Sequence, residues 1–213
     1  TCDAATGRPL RTLQGHQSRA YIVRYAGKIL VSGSSDATVR LWEPTTGRPL
    51  HTLRGHAGWV WPVELSPDGS LVAVGDNSGT IRLWDTSSGQ VRAQLAGHAS
   101  RVWTAAFHPA GKLLATGDDG GVVRLWRTAT GELHQKITGA RPVYRLAFSP
   151  DGTLLATACD GGEVRLWDPL TGELREELTG HERAVYALDF HPAGHLLATG
   201  DIAGVVRLWS TPG

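Results

Sequence analysis

The sequence has no methionine, two cysteines, three lysines and a formal net charge of only +1. Each scarcity closes off something. Cys2 and Cys159 cannot build a disulfide framework, so a reducing, cytoplasmic setting is the expectation. No apolar run approaches the roughly 18 residues that span a bilayer, so no membrane helix is expected. The first residues lack a basic stretch followed by an apolar core, so no signal peptide is read there. The missing methionine leaves two readings: an initiator removed before Thr1, or a piece cut from a longer chain. With 21 basic and 20 acidic residues, the usual electrostatic case for nucleic acid or an acidic membrane surface is missing, and neither is expected as a partner. Eighteen of the basic residues are arginine, the side chain suited to fixed, bidentate pairing. Sustained helical periodicity is absent as well.

What is abundant is glycine and tryptophan, 27 and eight residues. Trp42, Trp84, Trp126, Trp167 and Trp209 are separated by 42, 42, 41 and 42 residues. Each closes the same phrase: TVRLW, TIRLW, VVRLW, EVRLW and VVRLW. A Gly-His pair runs in step at Gly15-His16, Gly55-His56, Gly97-His98 and Gly180-His181, with Gly139-Ala140 in the fourth place. The turns SPDG and HPAG alternate at 66–69, 108–111, 149–152 and 191–194. A fixed period of this length marks one supersecondary unit copied in tandem. Within a unit, four short runs alternate with turns: Trp59 to Leu65, Ser70 to Gly75, Thr80 to Trp84 and Gln90 to Leu95. Runs this short, bounded by Gly, Pro, Asp or Ser, predict a four-stranded antiparallel meander.

The Gly-His phrase, the Trp phrase and their period together resemble the WD-repeat (beta-transducin-like) family of β-propellers, across essentially the whole chain. The resemblance implies an all-β fold of five four-stranded blades in a single domain over 1–213. The repeats fall at about 15–54, 55–96, 97–138, 139–179 and 180–213, with 1–14 as a lone outer strand. In that family each repeat supplies the outer strand of one blade and the inner three of the next. Residues 1–14 align with 41–54, while the chain stops just after Trp209. Each end thus lacks what the other has. Two architectures follow: a monomeric ring closed by Gly7 to Leu13 pairing with the last blade, or a five-blade portion of a larger ring. Closure would remove free sheet edges.

The resemblance also implies a buried hydrogen-bond chain in many blades, linking the Gly-His imidazole, a hydroxyl, an Asp and the phrase Trp. His16, Ser32, Asp36 and Trp42 supply the full set in repeat one. Trp84, Trp126, Trp167 and Trp209 are the structural counterparts. At the same offset from Trp as Asp36, the other repeats have Ser78, Gly120, Gly161 and Ala203, so incomplete networks are expected in four repeats. Arg40, Arg82, Arg124, Arg165 and Arg207 precede each Trp by two places and read as stems packed along strands with paired heads. The nine histidines lack the clustered spacing of a zinc site, so no metal or other cofactor is expected.

One aligned position is aromatic in all five repeats: Tyr21, Trp61, Trp103, Tyr144 and Tyr186. By resemblance it faces the channel mouth, where peptide partners dock, and Trp59 extends the patch. Aromatic side chains combine large apolar area with a polar tip. With Asp118 and Asp160 in neighbouring turns, such a collar suits a protein or peptide segment, a basic one in particular. The opposing reading is a plug of large rings filling a narrow axis. No phosphate loop, nucleophile elbow or metal motif is present, so the expected function is a non-catalytic interaction scaffold. The alternative is a regulatory or sensor domain of a larger signalling protein, binding a small ligand in the channel.

Overall fold

Turn residues cut the chain into strands of three to seven residues, too short to bury an apolar face except by stacking sheet on sheet. A computed structural model describes residues 8, 10–139 and 141–211, and those residues contain strands and turns with no helix. The first blade is β1 (Ala20–Ala26), β2 (Ile29–Ser34), β3 (Val39–Trp42) and β4 (Pro49–Leu53). The second is β5 (Val63–Leu65), β6 (Leu71–Gly75), β7 (Ile81–Asp85) and β8 (Val91–Leu95). The third is β9 (Val102–Phe107), β10 (Leu113–Asp118), β11 (Val122–Arg127) and β12 (Leu133–Thr138). The fourth is β13 (Val143–Phe148), β14 (Leu155–Cys159), β15 (Val164–Trp167) and β16 (Leu174–Leu178). The last is β17 (Val185–Phe190), β18 (Leu196–Asp201) and β19 (Val206–Ser210). Strands pair antiparallel with their chain neighbours, giving five separate sheets. The run from Trp59 is a strand only from Val63. Proline at 62 has no N–H to give, although Trp61 N still donates to Gly75 O.

The core lies between blades. Four clusters each join the third and fourth strands of one blade to the first strand of the next. Val39, Leu41 and Leu53 pack on Val63 and Leu65, and Ile81, Leu83 and Leu95 on Ala105 and Phe107. Val123, Leu125 and Ile137 pack on Leu146 and Phe148, and Val164, Leu166 and Leu178 on Leu188 and Phe190. The alternation of buried and outward residues along each strand follows from the two-residue period of the pleat.

The ends differ from the closed ring expected. Part of that expectation, Gly7 and Pro9, lies outside the described residues. Arg8 and Leu10 to Gln14 form no strand, and the last sheet is three-stranded, with β19 at its edge. Leu13 lies instead against the β3–β4 turn, where a Cβ built on Gly47 would meet it at 3.2 Å. The equivalent Gly131 faces Leu95 of the blade before, at 3.3 Å. Residues 11–13 therefore hold the outer-strand place of a blade ahead of the first, but β19 does not supply that blade's inner strands. The fold is a five-blade arc whose ring closure is not formed among the described residues.

Candidate functional site: an aromatic collar over a blade scaffold

Every blade first has to satisfy its buried indole and imidazole, since an unpaired polar group in the interior is costly. In blade one, Trp42 Nε1 donates to Ser32 Oγ at 2.8 Å, His16 Nε2 faces the same hydroxyl at 2.8 Å, and His16 Nδ1 meets Asp36 at 3.0 Å. Blade three repeats this with Trp126, Thr116, His98 and Asp118 at 2.8, 2.7 and 2.6 Å. Blade five does so with Trp209, Thr199, His181 and Asp201 at 2.8, 2.8 and 2.7 Å. The expectation of incomplete networks in four repeats is thus corrected: the chain is complete in three. The carboxylate comes from the last residue of the second strand, two places earlier than Asp36, so a fixed offset from Trp missed it. A Gly-Asp pair at 75–76, 117–118 and 200–201 was the available signal.

The exceptions are informative. In blade two, Val74 stands where the others carry a hydroxyl. His56 Nδ1 lies 3.8 Å from Asp76, whose carboxylate is drawn to Arg82 at 2.7 Å. Both His56 nitrogens and Trp84 Nε1 are buried without a hydrogen bond among the described residues. Burial, with Arg82 adding repulsion, pushes the His56 imidazole down to about 4. In blade four, Trp167 Nε1 still donates to Thr157, and Cys159 takes the carboxylate's place. Burial pushes that thiol up to about 11, which leaves it inert as a nucleophile near neutral pH.

The regularly spaced arginines belong to the scaffold. Arg82 and Arg165 pair with carboxylates, Arg124 and Arg207 donate to the carbonyls of Gly97 and Gly180, and Arg40 lies over Trp42. These bonds pin the Gly-His loops of blades three and five to their third strands.

Above the scaffold, the aligned aromatics form a continuous strip across all five blades. Tyr186 stacks on Tyr144 at 4.5 Å, Tyr144 meets Trp103 edge-on at 6.0 Å, and Trp61 Nε1 donates to the Trp103 carbonyl at 2.6 Å. Tyr21 leans on both Trp61 and Trp59, and its hydroxyl donates to Val60 O at 3.1 Å. The strip divides by exposure. Trp61, Trp103 and Tyr144 are half-buried, while Tyr21, Tyr186 and Trp59 are exposed. Burial and the neighbouring Tyr186 raise the Tyr144 phenol to about 12. Trp103 is already engaged: Asp119 accepts its indole N–H at 2.9 Å, and the Arg101 guanidinium lies 4.0 Å over its ring. Arg101 was not picked out from sequence as a ring partner, although its position two residues before Trp103 puts it on the same side of the strand.

The two expected acidic partners separate. Asp118 is buried. Burial pushes its carboxyl up, but hydrogen bonds from His98 and Val122 N outweigh this and hold it below the usual range, so it is a scaffold residue and no part of the collar. Asp160 is half-buried beside Tyr144, and its carboxylate has no hydrogen bond among the described residues.

Beneath the strip the innermost strands, with β18 and β19 of the last blade, line an open cavity of about 580 Å³, with Arg24, Glu64, Phe107, Arg145 and Asp189 in its wall. Arg24 Nε donates to Glu64 at 2.7 Å, so those charges satisfy each other. The wall also includes Val206 of β19, one of the most exposed residues of the last blade, so the cavity opens along the end of the arc. No cluster of three or more His, Cys, Asp or Glu is arranged to hold a metal among the described residues.

A family model described as WD domain, G-beta repeat matches residues 7–43, 47–85, 89–127, 131–168 and 172–210. Each match ends on the residue after a phrase Trp. No curated protein matches the chain.

Proposed function

Because the chain belongs to the WD-repeat family, we propose that it is a non-catalytic scaffold whose aromatic strip binds a peptide segment of a partner protein. The observation that carries this reading is Trp59. Its ring is 58% exposed and touches only Tyr21 among the aromatics, and its indole makes no hydrogen bond among the described residues. A large apolar ring left in water at the rim of a satisfied aromatic array is the kind of residue that dominates binding energy once covered. Trp61 and Trp103 take the plug role instead, because their indole N–H groups tie blade two to blade three and the collar to the Asp119 turn. The partner fits as a segment with an apolar side chain for Trp59 and Tyr21 and a basic one for Tyr144, Tyr186 and Asp160, whose carboxylate makes no hydrogen bond or ion pair among the described residues. A small ligand in the channel is the weaker reading, since the cavity opens at the arc's end and its Arg24–Glu64 pair is already closed on itself.

The test is selection from a displayed random-peptide library on the intact chain. Selected sequences are expected to place Lys or Arg near an aromatic or aliphatic residue. Trp59→Ala should weaken them by about tenfold or more, the size of a hot-spot truncation. Asp160→Asn should weaken only the basic members. Peptides that bind Trp59→Ala as well as the parent chain would refute the assignment.

A further inference from the structure

At the end of the strands away from the aromatic strip, the turn after a blade's first strand meets the turn after its third. Blades two and three share the backbone of this corner. Thr86 N donates to Ser70 O at 3.0 Å and Thr86 Oγ1 to Gly69 O at 2.7 Å. Thr128 N donates to Lys112 O at 3.1 Å and Thr128 Oγ1 to Gly111 O at 2.7 Å. The chemistry placed on that backbone is reversed. In blade two, Asp68 accepts the Ser70 N–H at 3.0 Å, and Asp85 accepts those of Ser87 and Ser88 at 3.0 and 2.8 Å. Blade four does the same. Asp151 accepts Thr153 N at 3.0 Å, and Asp168 accepts Leu170 N and Thr171 N at 2.8 and 3.1 Å. Such donors, the Ser87 hydroxyl foremost, hold the Asp85 carboxyl down to about 2. In blade three, Ala110 stands in the place of the first carboxylate and Arg127 in that of the second, while Lys112 replaces Ser70 and Thr153. The backbone N–H groups of Lys112, Ala129 and Thr130 consequently have no acceptor among the described residues. Two carboxylates have become two cations, and three donors placed for a carboxylate have lost it.

These groups line a groove of about 450 Å³ between blades two and three. Lys112 and Arg127 are exposed, and neither forms an ion pair among the described residues; Arg127 gives one donor to His134 Nδ1 at 2.9 Å. The carboxylate in the wall, Asp68, has both oxygens engaged, one by Ser66 and the other by Ser70. We propose that this groove binds a phosphate group, whose oxygens take the backbone N–H groups that belong to carboxylates in blades two and four, beside Lys112 and Arg127. Neighbouring backbone N–H groups in a turn make an anion-binding concavity, and a guanidinium adds charge-assisted bonds to oxyanions. Two cations match the near-double negative charge of a phosphate better than the single charge of a carboxylate. Free phosphate and a phosphorylated side chain offer the same chemistry here. The groove lies at the opposite end of β9 from Trp103, so the proposal stands or falls independently of the peptide site.

Amide NMR spectra of the full chain, recorded at low and constant ionic strength, test it. Inorganic phosphate is added to about 50 mM at about pH 7.5, which covers millimolar affinity with the anion mostly doubly charged. The amides of Lys112, Ala129 and Thr130 should shift together and saturate, while those of Ser70, Ser87 and Ser88, already bonded to carboxylates, stay in place. Arg127→Asp rebuilds the corner of blade two, so the variant should keep the parent spectrum elsewhere and lose phosphate affinity by about tenfold or more. Lys112→Ser, the residue of blade two, should lose about threefold or more. N-acetyl-phosphoserine amide is the second probe. Tighter binding of it than of inorganic phosphate identifies a phosphorylated side chain as the source, and equal or weaker binding identifies free phosphate; both results uphold the site. Shifts at the three amides that never saturate overturn the proposal, as does undiminished affinity in Arg127→Asp or Lys112→Ser.

Discussion

At His56 the scaffold leaves a local debt: among the described residues, three buried ring nitrogens of blade two have no hydrogen-bond partner, where blades one, three and five bond each of theirs. The cause is one side chain, Val74, in the place of Ser32, Thr116 and Thr199. Val74→Thr keeps the β-branched shape and sets a hydroxyl between His56 and Trp84. It should stabilise the protein by about 1–2 kcal/mol, read as a rise of about 2–8 °C in melting temperature. The converse, Thr116→Val, leaves His98 Nε2 and Trp126 Nε1 without their partner, while His98 Nδ1 keeps Asp118, and should cost about 2–3 kcal/mol. The same site makes a pH prediction. With its folded value near 4 against about 6.5 when unfolded, His56 takes up a proton in the unfolded chain first. Stability from this group is therefore full above pH 6.5 and is lost as pH falls towards 4, by about 1.4 kcal/mol per unit. Urea midpoints at pH 7 and pH 5 should differ less in His56→Gln than in the parent chain. An equal drop in both would exclude His56 as the source. At this scale the sequence was legible in identity but not in register. The hydroxyl and Trp of each network stand ten residues apart and the His and its carboxylate twenty apart, but in blade one the two pairs are shifted by two residues relative to each other, so counting back from Trp finds the hydroxyl and misses the carboxylate.

Among the elements, the turns between second and third strands do more than reverse the chain. Gly162 has φ of +93°, and a Cβ there would stand 2.1 Å from the His181 carbonyl of the next blade. Gly204, with φ of +86°, shares the backbone requirement but not the contact. Gly162→Ala should therefore cost about 3 kcal/mol or more, combining left-handed strain with overpacking. Gly204→Ala should cost about 1–2 kcal/mol from strain alone. Equal losses in chemical denaturation would mean that the inter-blade approach contributes nothing. The strands themselves were readable because their punctuation is chemical: SPDG, HPAG and the Gly-containing turns bound each run. The exception, the late start of β5, follows from Pro62. The collar was readable as a position, since five aligned aromatics need no structure to be seen. Its division into a half-buried plug and an exposed rim was not, because exposure depends on which indole N–H finds a carbonyl across a blade boundary.

For the whole molecule, complementarity of the two ends was visible in the sequence, but whether the ends meet was not. Pairing of residues 8–14 with β19 is a question of where four inter-blade seams leave the fifth blade, and no local pattern encodes that sum. The arc makes a distinct prediction for hydrogen exchange. Protection requires a hydrogen-bonded partner and a rare opening event. The third strands β7, β11 and β15 have neighbours on both sides, so their amides should exchange slowly along the whole strand. Among the described residues β19 pairs only with β18. Its amides facing away from β18 should exchange at close to the rate of an unstructured chain in dilute solution. Slow exchange across all of β19 would instead mean that the chain's own first segment completes the last blade.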